Sequence, residues 1–315
     1  MSRTIVAPPE LPDAPISAVE RETGLSKDTL RVWERRYGFP VPLRDRHGER
    51  LYPADQVLRL RLISRLLGRG LRPRQVVGAP LEELIARAGE GDAGPALQAR
   101  AAEAPLLDAT LRLLRSYDEA GLRAHLSLAL QRLGLQRFVT EFAAPMNVQV
   151  GEAWSRGEIA ISQEHLYTEQ MQHQLRQGIG AIYPGTRAPS VMLTTLPGEE
   201  HQLGLLMAHA CLAIEGTRCV SLGVQTPAWD IAQAARQHGA DVVGLSFSES
   251  LRQKTALDML QDLRARLPES IEIWAGGALW SRLRRRPPGV RFVSRLEQIS
   301  PLLAEYRARE SAAAP

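Results

Sequence analysis

Five short β-rich runs separated by helical stretches occupy the C-terminal part of the chain and restrict its fold more than any other feature. They read SVMLTTL, CVSLGV, DVVGLSFS, IEIWAGG and VRFVS, and each of the first four is followed by a helix-forming segment before the next begins. Strands joined by crossovers of this kind pair in parallel, because an antiparallel neighbour needs only a tight turn. The alternation predicts a doubly wound, Rossmann-like α/β domain with a parallel sheet over 187–308.

The preceding segment, 105–186, has another texture: apolar residues recur at helical spacing in stretches broken at Asp118, Gly134 and Gly157. That pattern predicts a four-helix bundle. Residues 78–104 are rich in Ala and Gly and read as a linker with short helical pieces, while 1–14 and 309–315 read as disordered tails. The chain is thus expected to be multidomain, with a third folded module over 15–77.

Charge separates that module from the rest. Residues 1–80 hold 15 Lys/Arg against 9 Asp/Glu, so the whole-chain net charge of +4 hides a basic N-terminus on a slightly acidic body. Such a balance suits a polyanionic partner. No apolar run is long enough to cross a membrane and the N-terminus lacks a signal-peptide core, so no membrane partner and a cytoplasmic location are expected. Cys211 and Cys219 lack metal-ligand spacing and are expected to be buried on a helix and a strand.

Within the basic module, Ile16–Arg21 predict a short helix, Gly24 a turn and Ser26 the N-cap of a second helix carrying Lys27, Thr29, Arg31 and Arg35, with Leu30 and Trp33 facing inward. A basic helix after a Gly-bearing turn suits the major groove, and LRDRHGERLY, with Arg44, Arg46 and Arg50 about a His-Gly turn, suits a small hairpin reaching phosphates. TLRVWERRYG followed by RDRHGERLY closely resembles the MerR-type winged helix-turn-helix. The resemblance implies binding to a double-stranded DNA operator, with Lys27, Thr29, Arg31, Tyr37, Arg44 and Arg50 as the contacting residues.

In a doubly wound sheet, ligands bind beyond the carboxyl ends of the strands. Glu199 and His201 follow the first strand, and Gly204 opens the next helix, where it would let a ligand approach the backbone. Ser246 and Ser248 close the third strand, and Gly276 and Gly277 close the fourth. This set resembles the signature of the cobalamin-binding domain, with Ser248 where that family usually has Leu. The resemblance implies that His201 ligates cobalt from below, that Glu199 orients it, and that Ser246, Ser248, Gly276 and Gly277 line the slot for the nucleotide tail.

The bundle carries EAWSRGEIAISQEH, in which Trp154 is followed after nine residues by Glu164 and His165. This resembles the light-responsive cobalamin repressors of the CarH/LitR type, in which the Trp shelters the adenosyl group and the Glu-His pair sits beside it. In well-known members the residue after the Trp is a histidine that captures cobalt after illumination; here it is Ser155. The remaining histidines, His47, His125, His173, His209 and His238, lack ligand spacing and are expected in structural or surface positions.

The function expected from these resemblances is that of a non-enzymatic DNA-binding transcriptional regulator, a repressor by type. It would bind adenosylcobalamin, form a homo-oligomer that is tetrameric in the dark, and respond to light through Co–C photolysis. Two other readings stay open: a cobalamin-dependent methyltransferase or corrinoid carrier module, and a regulator that senses cobalamin, a bilin or a protein partner without light.

Overall fold

The structure, a computed structural model, describes residues 13–68, 71–89, 97–281, 283 and 286–313. The first twelve residues of the expected N-terminal tail, residues 90–96 of the expected linker and residues 314–315 lie outside that set. The described residues form two compact units. One joins the N-terminal region to Val148–Glu164, and the other joins Gln98–Asn147 to the chain from His165 onward.

In the first unit, β1 (Ala14–Pro15), α1 (Ile16–Thr23), α2 (Lys27–Tyr37), β2 (Leu43–Arg44), β3 (Arg50–Tyr52), α3 (Ala54–Gly68), α4 (Pro73–Val76) and α5 (Leu81–Gly89) follow one another. Ser26 caps α2 by accepting a hydrogen bond from the Thr29 backbone N–H at 3.2 Å. The strands form an antiparallel sheet in the order β1-β3-β2, and a turn closed by Gly48 N–H on Asp45 C=O at 3.0 Å makes β2 and β3 a hairpin. Val19, Leu30, Trp33, Tyr52, Leu60 and Ile63 form the core. Leu84 on α5 is fully buried in the same core, so this unit's packing extends past residue 77, where the sequence suggested its end. The Ala/Gly-rich composition around α5 hides its short amphipathic face.

Four helical stretches follow: α6 (Leu97–Arg115), α7 (Glu119–Arg137) running into a π-helical turn (Phe138–Ala143), α8 (Ala144–Ser155) and α9 (Ile161–Gly180). Asp118 caps α7 on the Gly121 N–H at 2.8 Å. At Gly134 the backbone takes φ 70° and ψ 160°, non-helical values open essentially to glycine, so two helical stretches meet there at a kink. Phe138 and Phe142 of the π-helical turn stack at 5.3 Å between ring centroids. In the second unit, Tyr167 of α9 donates to Asn147, whose side-chain N–H reaches the Met207 sulfur at 3.7 Å.

The α/β region contains β4 (Arg187–Thr194), α10 (Leu203–Ile214), β5 (Thr217–Ser221), α11 (Ala228–Gln237), β6 (Val242–Ser246), α12 (Gln253–Arg266), β7 (Glu272–Gly276), β8 (Val290–Val293) and α13 (Ile299–Ala313). All five strands are parallel, in the order β5-β4-β6-β7-β8. Two apolar layers cover the sheet. One is built from Met192, Val243, Ile273 and Ala275 against α11 and α12, the other from Val191, Leu193, Val242 and Trp274 against α10 and α13. Burial on both faces explains why these strands read as unbroken apolar runs. Successive crossovers leave β4 in opposite directions, so the topological switch point lies between β4 and β6. Among the described residues, no helix is long and apolar enough to cross a membrane.

Candidate functional site

The loops that leave β4 and β6 meet at that switch point, and they bring Glu199, His201 and Ser248 together. His201 Nδ1 donates to Glu199 Oε1 at 2.7 Å, and the His201 backbone N–H donates to the same oxygen at 3.0 Å. The other oxygen, Oε2, accepts from the Ser248 backbone N–H at 2.7 Å and from the Ser248 hydroxyl at 2.8 Å. The carboxylate is therefore saturated with donors. It is buried, and burial by itself would raise its pKa. The His201 side chain and the backbone N–H groups of Ser248 and His201 more than offset this and hold it below the usual carboxylate range.

An ionised carboxylate can only accept, so Nδ1 must carry its proton and Nε2 is the acceptor nitrogen of the ring. The two side chains differ sharply in exposure, 1% for Glu199 against 60% for His201. The imidazole is thus held at its root by a buried carboxylate while most of its own surface is exposed. A carboxylate-braced imidazole of this kind could hold a metal ion through Nε2.

Neighbouring residues hold this loop in place. Thr195 Oγ1 donates to the Glu199 carbonyl at 2.6 Å and accepts from the Gln225 backbone N–H at 2.8 Å. Thr194 Oγ1 lies 2.8 Å from Thr226 Oγ1. Sequence reasoning missed Thr195 and Gln225; the only available signal was the Thr-Thr pair at the strand end, which does not say where the hydroxyls point.

The small residues expected along a tail slot have distinct local settings. A Cβ on Gly204 would stand 2.8 Å from Ser246 Oγ, so this glycine lets α10 close against the third-strand hydroxyl. Gly277 adopts φ 125°, and a Cβ there would collide with the Phe247 carbonyl oxygen. Gly276 pairs with Ser246 across the β6–β7 register, and its carbonyl accepts from the Phe247 N–H at 2.9 Å. Ser248, expected along the slot, points instead to the carboxylate behind the histidine.

Trp154 stands near the end of α8, and Gly157, at φ 71°, makes the turn towards α9, whose first turns carry Glu164 and His165. The Arg61 guanidinium lies 5.0 Å over the Trp154 ring. Ser155 is buried and accepts from Arg65 Nη1 at 3.1 Å.

The residues expected on DNA gather on α2 and the hairpin. Lys27 pairs with Glu20 at 3.6 Å, Arg31 with Asp28 at 3.3 Å, and Arg50 with Glu34 at 3.0 Å. Thr29 joins the Ser26 cap, Tyr37 packs against the core, and Arg44 donates to the Gly48 carbonyl at 2.8 Å across the hairpin turn. The cysteines are only partly buried, on α10 and β5, and burial pushes their thiols up to about 11 for Cys211 and about 12 for Cys219.

Comparisons with known proteins agree with this layout. The model described as MerR HTH family regulatory protein matches residues 14–79, and B12 binding domain models match 106–177 and 189–304. The chain is 32% identical to the HTH-type transcriptional repressor CarH of Myxococcus xanthus, over 81% of this chain and 85% of that protein. It is 29% identical to the HTH-type transcriptional repressor CarA of the same organism, over 84% and 86%. The monomethylamine corrinoid protein of Methanosarcina barkeri covers 65% of this chain with 99% of its own, at TM-score 0.50 and 18% identity, a likeness of fold.

Proposed function

This chain belongs to the MerR-type regulators that carry B12-binding domains, homologous to the CarH and CarA repressors, and from that membership we propose that it represses transcription under the control of bound adenosylcobalamin. The observation that carries the cofactor half is the Glu199–His201–Ser248 arrangement at the switch point, with Nδ1 protonated and Nε2 presented. His201 would hold the cobalt through Nε2. Glu199, with its four donors, fixes the tautomer and the ring plane. Gly204, Ser246, Gly276 and Gly277 offer only small side chains on the path assigned to the nucleotide tail. Trp154, Glu164 and His165 are assigned to the upper face. When bound, adenosylcobalamin supplies a cobalt centre and a Co–C bond that light can cleave.

The DNA half rests on α2 and the β2–β3 hairpin. A single winged helix makes few base contacts, so high affinity requires several copies on one operator. We assign that role to a homo-oligomer, tetrameric in the dark, whose dissociation on illumination releases DNA. The test is a titration of the apoprotein with adenosylcobalamin in darkness, followed by illumination, with absorption spectrum and oligomer size recorded together. Corrin bands that shift on binding, with a size change on illumination, are expected; a chromophore-free protein overturns the reading.

A second reading has one specific observation in its favour. Ser155 is engaged with Arg65 and has no imidazole to offer cobalt, so the chain lacks the histidine that captures the metal after photolysis in well-known relatives. Under this reading the regulator responds to cobalamin supply. An oligomer that forms with the cofactor and keeps its size under light selects it.

A further inference from the structure

Building on the repressor reading above, we propose that helix α3 of the winged unit reads the state of the cofactor through a clamp on the turn that carries Trp154. One stripe of α3, at i, i+3 and i+7 spacing, meets that turn. Leu58 Cδ1 lies so near Gly157 that a Cβ there would approach it to 3.2 Å. Arg61 stacks over the Trp154 ring at 5.0 Å and donates from Nη1 to the Trp154 carbonyl at 3.3 Å. Arg65 donates to Ser155 Oγ at 3.1 Å and pairs with Glu152 at 3.3 Å.

The clamp extends to the DNA-reading helix. Arg61 also forms an ion pair with Glu22 on α1, and Ser64 donates to the Thr23 carbonyl at 2.6 Å. One turn back on α1, Glu20 accepts from the Lys27 N–H at the start of α2 at 3.1 Å. Contacts therefore run unbroken from Trp154 through α3 and α1 to α2. Among the described residues the ring's own N–H has no hydrogen-bond partner, so the Arg61 guanidinium over its face is the polar contact that holds it. A residue assigned to the upper ligand is thus also a load on the DNA-binding unit. Linkage then makes the effect reciprocal: whatever moves Trp154 alters DNA affinity, and DNA alters cofactor affinity by the same factor.

The test uses the full chain and a duplex that it selects from a random library. DNA affinity is measured with and without adenosylcobalamin in darkness, and the ratio of the two is the readout. Arg65→Glu sets two carboxylates against each other and is expected to leave the cofactor spectrum unchanged. If the wild-type ratio is about tenfold, inside the usual range for coupled sites, Arg65→Glu brings it below about threefold. The swap Arg65→Glu with Glu152→Arg restores the ratio, a recovery that general destabilisation would not give. An undiminished ratio in Arg65→Glu, a loss that the swap fails to repair, or a wild-type ratio of one despite cofactor binding overturns the clamp.

A cofactor-free arm separates this from failure of the repressor reading. In hydrogen exchange without cofactor, Arg65→Glu speeds exchange in 59–67 and 150–158, and the swap slows it again. If that pattern holds while wild type binds no adenosylcobalamin, the contact stands and both the repressor reading and the readout role built on it fall.

Discussion

The site proposed for the lower ligand and the surface proposed to face DNA both depend on charged side chains, but the two regions hold their charges in opposite ways. Glu199 is buried, bonded on all sides and unable to turn. Lys27, Arg31 and Arg50 rest in exposed or half-exposed ion pairs with Glu20, Asp28 and Glu34. Surface pairs of that kind contribute about 0–1 kcal/mol each, so a phosphate can take over the cation at small cost. A metal ligand needs fixed direction, whereas a nucleic-acid contact needs an exchangeable partner.

The largest effect expected from this contrast is that of His201→Ala. It removes the nitrogen proposed to hold the metal, and on that proposal cofactor affinity should fall beyond the roughly 100-fold that marks the upper end for outer-shell partners. A titration followed by absorption measures this, and an unaltered spectrum would show that another group ligates the metal. Glu199→Gln comes next. The amide presents an N–H₂ to donors that need acceptors, so the imidazole loses its orientation, and affinity should fall about 10- to 100-fold with the fold retained. Affinity within twofold of wild type would mean that the carboxylate is ordinary packing.

On the DNA side the expected losses are smaller and depend on salt. Lys27→Ala should weaken binding to all duplexes alike and reduce the salt slope by about one, measured by anisotropy at several ionic strengths. Loss confined to one duplex sequence would make Lys27 a base reader. Glu34→Gln, which frees Arg50, is the mildest change: DNA affinity should stay within about threefold of wild type, and folding stability should shift by no more than about 1 kcal/mol. A large stability loss would show that the Arg50–Glu34 pair is a structural strut, and the contrast between the two regions would narrow.

The two regions also differ in how far they were legible in the amino-acid sequence. Strand–helix alternation set the parallel sheet, because crossovers leave a period that composition cannot disguise. The spacing Glu199-x-His201-x-x-Gly204 placed the histidine on a strand exit. Side-chain direction was not legible: Ser248 aims at Glu199 because of how β6 ends beside β4, a matter of register between strands far apart in the chain. The brace from Thr195 to Gln225 was hidden for the same reason. In the winged unit, the Ser26 cap and the hairpin turn announced themselves locally, while the burial of Leu84 and the grip of Arg61 on Trp154 depend on partners dozens of residues away. At Gly134 the sequence signalled a break, and the non-helical backbone there separates two helical stretches as expected.

The proposed clamp on α3 would set a rule for chimaeras built from this regulator. On the proposed clamp, a foreign DNA-reading module grafted upstream of the B12-binding half would stay deaf to the signal unless its third helix carried Leu, Arg and Arg in the places of Leu58, Arg61 and Arg65. Transplanting those three side chains along with the fusion joint is the smallest edit that would let the borrowed module hear.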